Sequence, residues 1–237
     1  MSRHLSAEEA EQLKPGADHY RAFVGPPKRY GLMTLYQMGL LAALGLEETD
    51  GVLDFGCGSI RLGRSLIPFL RPGGYFGIDP YTWLIEDGLK AETGEEIMTV
   101  KSPRFSDEAD FDCTVFDERF DFIIAQSIVT HAGAPSAEKL FASTAKALKD
   151  DGVFLFSYLK GADDIEPPAE PWTYPHNVAY PEPWLKALCE RHGLIWRALD
   201  WHHPGACWVA AALDERRLPP EHAPLGLAGK PLERWRA

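Results

Sequence analysis

Two aspartates 25 residues apart each close a short apolar run that ends in a turn: Asp54 in VLDFGCGSIRLGR (52–64) and Asp79 in YFGIDP (75–80). After Asp54, Gly56 and Gly58 let the backbone pass close to a ligand without a Cβ in the way. The helix that follows offers free N–H groups to a carboxylate or phosphate. A dinucleotide fingerprint needs glycine at 56, 58 and 61, and position 61 is Arg; this speaks against NAD or FAD. Asp79 is placed to accept the two hydroxyls of a ribose, and a pair of carboxylates suits a positively charged small ligand. His131 follows a further apolar run, FDFIIAQSI, and its neutral imidazole has the chemistry of a general base. The other reading of His131 is a side chain that binds backbone and shapes a pocket. The histidines at 176, 202 and 203 with Asp200 show no H-E-x-x-H or zinc spacing, so no metal site is expected.

These residues need elements to hold them. VLDFG, YFGID, FDFIIAQSI and VFLFSYL read as buried strands, and helices are expected between them over SIRLGRSLIPFL, TWLIEDGLK with Thr82 as N-cap, and the segment begun by Ser136. Strands alternating with helices specify an α/β fold with a parallel sheet. Ahead of it, 6–14 reads as a short polar helix and 30–44 as an amphipathic helix. Residues 161–183 are dense in proline and aromatics and read as an ordered loop over the sheet's edge. A helix over 183–191 and a terminal antiparallel pair, LIWRALDW and CWVAAAL, complete the pattern.

At 237 residues, 45% hydrophobic and 25% charged, the chain can bury a sizeable core. Its formal net charge of -11 disfavours a nucleic-acid partner. The four cysteines form no C-x-x-C pair, the first residues carry no apolar leader, and no stretch is long enough to span a bilayer. A reduced, cytoplasmic protein is the expectation, with no membrane partner, as a monomer or homodimer.

The glycine turn after Asp54, the acid ending the next strand, and the Phe-Asp strand followed by His131, a helix and an Asp-Gly turn together resemble class I S-adenosylmethionine-dependent methyltransferases of the small-molecule type. The likeness is clear over 50–160. It implies a Rossmann-like α/β fold: a seven-stranded, mostly parallel sheet with helices on both faces, the last strand antiparallel, in a three-layer α/β/α sandwich. It also implies one methyltransferase domain over 1–237, with an N-terminal helical lid (1–48), a cofactor-binding core (49–160), an aromatic loop with terminal strands (161–213) and a tail (214–237).

Carried over, the resemblance sets Asp54, Gly56, Cys57 and Gly58 along the methionine part of S-adenosylmethionine, and Asp79 with Pro80 at the ribose. Asp110, with Asp107 behind it, would meet the adenine amino group, and Phe111 would stack on adenine. Gln126 and Ser127 would face the methionyl end. Arg61 either pairs with the cofactor carboxylate or is a solvated helix residue; Trp83 either covers the cofactor or merely packs. The family's third glycine is Ile60 here, and Gly63 one turn later is expected to supply close helix packing. Tyr30, Tyr36, Trp172, Tyr174, Trp201 and His203 are the candidates for an acceptor pocket. The function implied is methyl transfer to an oxygen or nitrogen of a small molecule such as a natural product or metabolite. The alternative is a cofactor-binding protein of the same fold with a non-methylating or regulatory role.

Overall fold

The computed structural model describes residues 2–221 and residue 225. The order of elements is α1 (Tyr20–Phe23), α2 (Tyr30–Ala43), β1 (Val52–Phe55), α3 (Gly63–Phe69), β2 (Tyr75–Ile78), α4 (Thr82–Gly88), α5 (Ile97–Lys101), β3 (Arg104–Ser106), β4 (Phe120–Ala125), α6 (Ala134–Ala147), β5 (Leu148–Lys160), β6 (Ala179–Tyr180), α7 (Glu182–Arg191), β7 (Ile195–Leu199) and β8 (Cys207–Ala212). The sheet runs β3-β2-β1-β4-β5-β8-β7, with the two-residue β6 paired to the end of β5. β1 to β5 are parallel, and β8 is antiparallel to both β5 and β7. This is the expected seven-strand path, with the last strand reversed.

The strand sequences explain the layers. Successive side chains point to opposite faces, and a parallel sheet covered on both sides reads as a continuous apolar run. Leu53, Ile123, Phe154 and Phe156 join Leu140, Phe141, Leu185 and Leu188 of α6 and α7 in one apolar cluster. Their neighbours Val52, Phe122, Ile124, Val153 and Leu155 join Leu40, Leu66 and Ile85 of α2, α3 and α4 in the other. Helix α2 is therefore part of the body, and the segment that reaches over the site is the stretch before it.

Several boundaries differ from expectation. Residues 6–14 hold only a 3-10 turn at Glu9–Gln12. Thr82 is the first helical residue rather than the cap, and Ser136 is buried inside α6, whose cap is Gly133. Helix α3 begins at Gly63 because residues 59–62 are still turning. Strand β3, helix α5 and strand β6 carry no clear periodicity in the sequence. Most of the tail assigned to 214–237 lies outside the described residues; its described start is docked, with Leu218 buried and Arg217 Nε donating to the Asp151 carbonyl at 2.6 Å.

Candidate active site

Strand order reverses between β1 and β4, and ligands of open α/β sheets sit beyond the carboxyl ends at such a point. Two adjoining cavities of about 270 and 370 Å³ lie there and share Gly56, Asp79, Tyr81, Ile128 and Trp172.

The turn after β1 passes through the left-handed region three times, at Gly56 (φ 73), Gly58 (φ 54) and Ile60 (φ 53). Glycine is required at the first two for space as well. A Cβ on Gly56 would stand 2.1 Å from Ile128 Cδ1, and one on Gly58 2.6 Å from Val24 Cγ1. Ile60 tolerates its conformation fully buried in the core. Gly63 does allow close packing: a Cβ there would meet the Tyr75 hydroxyl at 2.8 Å. That hydroxyl donates to Asp54 Oδ2 at 2.9 Å. Asp54 and Cys57 are buried beneath the turn and line neither cavity.

Asp79 stands where the cavities meet. Its Oδ2 accepts from the Gly58 N–H and its Oδ1 from the Tyr81 N–H, each at 2.9 Å. Burial raises its pKa to about 6 against the opposing pull of these two donors. Burial likewise raises Asp54 to about 7, with the Tyr75 hydroxyl and Arg61 opposing and Asp79 adding to the rise.

The first cavity is bounded by Phe55, Ile78, Asp79, Pro80, Glu108 and Phe111, among others. Phe111 stacks on Phe55 with ring centroids 5.9 Å apart. Asp110 does not line it: its exposed carboxylate pairs with Lys139. Asp107 is exposed as well. The acid on the cavity wall is Glu108, two residues past the end of β3.

The second cavity takes in Gly58, Arg61, Gln126, Ser127 and His131. Arg61 reaches the Val24 carbonyl with Nη1 at 2.8 Å and Gln126 Oε1 with Nη2 at 2.5 Å. Its Nε is buried with no partner, and burial lowers its pKa. An unpartnered buried guanidinium nitrogen beside a cavity is a ready anion contact, so the solvated-helix reading of Arg61 does not hold. His131 Nδ1 is 2.9 Å from the His176 carbonyl. A carbonyl only accepts, so Nδ1 carries the proton. Burial lowers the pKa of this imidazole, which leaves the Nε2 lone pair free.

Over the second cavity lies a roof made of two stretches distant in sequence, and Trp172 of that roof also bounds the first. Phe23, Val24, Gly25 and Pro26 come from the N-terminal side, and Trp172, Tyr174, Pro175 and Asn177 from the aromatic loop. The Tyr174 hydroxyl donates to the Phe23 carbonyl at 2.8 Å and joins them. The aromatic loop is tied to the segment after β4 by Thr173 N–H on the His131 carbonyl (2.9 Å) and Val178 N–H on the Thr130 carbonyl (2.7 Å).

Of the six acceptor candidates, Trp172 and Tyr174 line the cavities. Tyr30 is buried beneath the β1 turn with its hydroxyl on the Ser59 carbonyl at 2.8 Å. Trp201 donates to the Tyr36 carbonyl at 2.9 Å, and neither Trp201 nor Tyr36 lines a cavity. His203 lies behind the wall, 3.3 Å from Gln126 Nε2, with its pKa lowered to about 4 by burial and by Arg61. Trp83 packs edge-on to Phe23 and beneath Arg3, and lines neither cavity. Tyr81, Glu108, Ile128 and Phe23 were not singled out from sequence, although Tyr81 lies only two residues past Asp79.

A methyltransferase-domain family model matches residues 30–198. Three solved structures share the fold. An S-adenosylmethionine-dependent methyltransferase from Clostridium acetobutylicum is 14% identical, with a TM-score of 0.60 over 78% of this chain and 92% of that one. The magnesium protoporphyrin IX methyltransferase of Synechocystis, solved with bound SAM, is 14% identical, with a TM-score of 0.59 over 79% and 81%. An O-methyltransferase family protein from Burkholderia thailandensis is 16% identical, with a TM-score of 0.55 over 77% of this chain; this chain spans only 57% of that protein's length. With the glycine turn, the acid ending β2 and the matched span together, the chain belongs to the methyltransferase-domain family, among the class I S-adenosylmethionine-dependent methyltransferases.

Proposed function

We propose that this protein passes the methyl group of S-adenosylmethionine to an oxygen or nitrogen of a small acceptor, with oxygen favoured. The observation that carries the reading is Asp79, a buried carboxylate at the junction of two cavities, fixed by two backbone N–H groups. The residues present fit the cofactor. Glycines at 56 and 58 leave the cradle that a Cβ would fill, and the unpartnered Arg61 Nε suits a carboxylate. In this reading Asp79 holds the ribose hydroxyls, Phe111 and Pro80 bound the adenine, and Glu108 replaces Asp110 as the acid nearest it. Arg61, Gly58, Gln126 and Ser127 hold the methionyl end. Asp54 acts from beneath, by shaping the turn and adding negative potential.

S-adenosylmethionine supplies an electrophilic methyl on a positively charged sulfur. The chain's own part is to align the acceptor, exclude water and take a proton. Trp172 and Tyr174 bring rings that wall the acceptor side of the cavity. His131 Nε2 accepts the acceptor's proton, its ring held by the His176 carbonyl. Alignment alone accounts for much of such a rate. The domain plan follows: 49–160 holds the cofactor, and the roof from 15–26 and 171–177 bounds the acceptor.

Calorimetric titration with S-adenosylhomocysteine tests the reading. Saturable binding in the micromolar range, with none to NAD, is the expected result; no binding ends it. His131→Ala should lower turnover on the order of a hundredfold while leaving that affinity within twofold.

A further inference from the structure

The two ends of the second cavity differ in chemistry. Arg61 and Asp79 are the only charged residues among the described residues that line it, and both belong to the cofactor end. The other end is built from Phe23, His131, Trp172, Tyr174, the uncharged polar Asn177 and two prolines, Pro15 and Pro175. The Tyr174 hydroxyl is engaged by the Phe23 carbonyl, so this residue presents its ring. The His131 ring stands edge-on to Trp172 and Tyr174, with centroids 5.7 and 5.0 Å apart. Its Nδ1–H is held by a carbonyl, which leaves Nε2 as a proton acceptor.

Each feature narrows the acceptor. A carboxylate, phosphate or ammonium on it would enter this end with no counter-charge, a costly burial. Ring walls favour a flat aromatic guest through offset and edge-on contacts. An imidazole made less basic by burial is a poor partner for an aliphatic hydroxyl, whose acidity is close to that of water, with a pKa of about 15.7. It is far better matched to a phenolic hydroxyl, with a pKa of about 10. We propose that the acceptor is an uncharged aromatic compound methylated on a ring hydroxyl, its ring against Trp172 and Tyr174 and its hydroxyl facing His131 Nε2. This rests on the methyltransferase reading above. As the oxygen–methyl bond forms, the methyl–sulfur bond breaks and its electron pair stays on sulfur. The hydroxyl proton goes to His131 Nε2, and the products are an aryl methyl ether and S-adenosylhomocysteine.

The test uses the full chain saturated with S-adenosylhomocysteine, titrated calorimetrically with four ligands of similar size: 2-naphthol, decahydro-2-naphthol, 2-naphthoate and 2-naphthylmethylamine. Expected is binding of 2-naphthol at least tenfold tighter than of the other three. With S-adenosylmethionine in place of the homocysteine, 2-naphthyl methyl ether should be the one methylated product seen by mass spectrometry. In His131→Ala, naphthol methylation should fall about a hundredfold at pH 7 and recover at least tenfold by pH 10, where the phenol ionises unaided. Equal or tighter binding of the carboxylate, amine or saturated alcohol, or no binding of naphthol, overturns the proposal and leaves the methyltransferase reading standing. Failure of S-adenosylhomocysteine itself to bind overturns that reading, and this one with it.

Discussion

The loops after β1, β2 and β4 form the floor of the site with buried charge and left-handed backbone, whereas residues 15–26 and 171–177 roof it with rings and prolines. On the floor, Asp54 and Asp79 carry pKa values of about 7 and 6 because burial disfavours their charged forms. On the roof, the described lining is uncharged, and the two stretches meet at Tyr174 and Phe23 through a hydrogen bond and a ring contact with centroids 5.5 Å apart. Away from the cavity, the N-terminal stretch is anchored by Arg21 on the buried Glu92, which Arg64 also meets at 2.7 Å. A floor of this kind concentrates binding energy in few groups, while a roof of this kind shapes and encloses. Floor changes should therefore act on affinity, and roof changes on exchange rate and acceptor choice.

The largest expected effect is on the floor. Asp79→Asn keeps the size, removes the charge, and sets an amide NH₂ against one of the N–H groups of Gly58 and Tyr81. A hydrogen bond to a charged group is worth about 1.5–3 kcal/mol. The affinity for S-adenosylhomocysteine should fall on the order of fiftyfold by calorimetry. An unchanged affinity would mean that the floor's charge is not what holds the ligand.

Next comes pH. Both aspartates sit above their ordinary value of 3.8, so the protonated forms are favoured on folding. Their contribution to stability is fully present below about pH 4 and is lost as pH rises through about 6 and 7. Through these two groups, ligand-free protein should melt at a lower temperature at pH 8 than at pH 5. A cationic ligand favours ionised Asp79, so affinity for S-adenosylmethionine should move the other way. It should be about tenfold weaker at pH 5 than at pH 7.5, one pH unit below a pKa near 6 leaving about a tenth ionised. A flat profile would detach Asp79 from the cation.

Much of the floor was legible in the sequence because its strands are buried on both faces. Val52–Phe55, Tyr75–Ile78 and Phe120–Ala125 are uninterrupted apolar runs apart from Asp54, Gly77 and Asp121, and the turns that end the first two are marked by glycine and aspartate. Strand β3 was not legible: three residues, Arg104 to Ser106, form a partly exposed edge with no apolar run. Without its end point, the sequence points to Asp110 and Asp107, whereas the acid that lines the first cavity is Glu108. The roof was legible only as composition. A tryptophan does not declare its partner, and Trp201 finds the carbonyl of Tyr36, 165 residues away, rather than the cavity. Trp172 and Tyr174 reach the site because backbone hydrogen bonds fold their loop onto residues 130–133.

A smaller effect is expected from Tyr174→Phe, which removes the hydrogen bond between the two roof stretches and keeps the ring contact with Phe23. A neutral hydrogen bond contributes about 0.5–1.5 kcal/mol net. In stopped-flow measurements the dissociation of S-adenosylhomocysteine should be about threefold faster, with little change in association. An affinity loss comparable to that of Asp79→Asn would erase the distinction between roof and floor.

The smallest effect sharpens the floor's own boundary. Asp110 and Glu108 are two residues apart on one loop, and only Glu108 faces the cavity. The Glu108 carboxylate accepts from the backbone N–H of Asp110, and from that of Asp112 at 2.9 Å, so it also sets the loop's shape. Asp110 points outward to Lys139, an exposed pair of the kind worth about 0–1 kcal/mol. Asp110→Ala should therefore leave S-adenosylhomocysteine affinity within twofold, whereas Glu108→Ala should weaken it several-fold by calorimetry. A reversal of that order would return the adenine contact to Asp110 and require the loop after β3 to turn over when ligand binds.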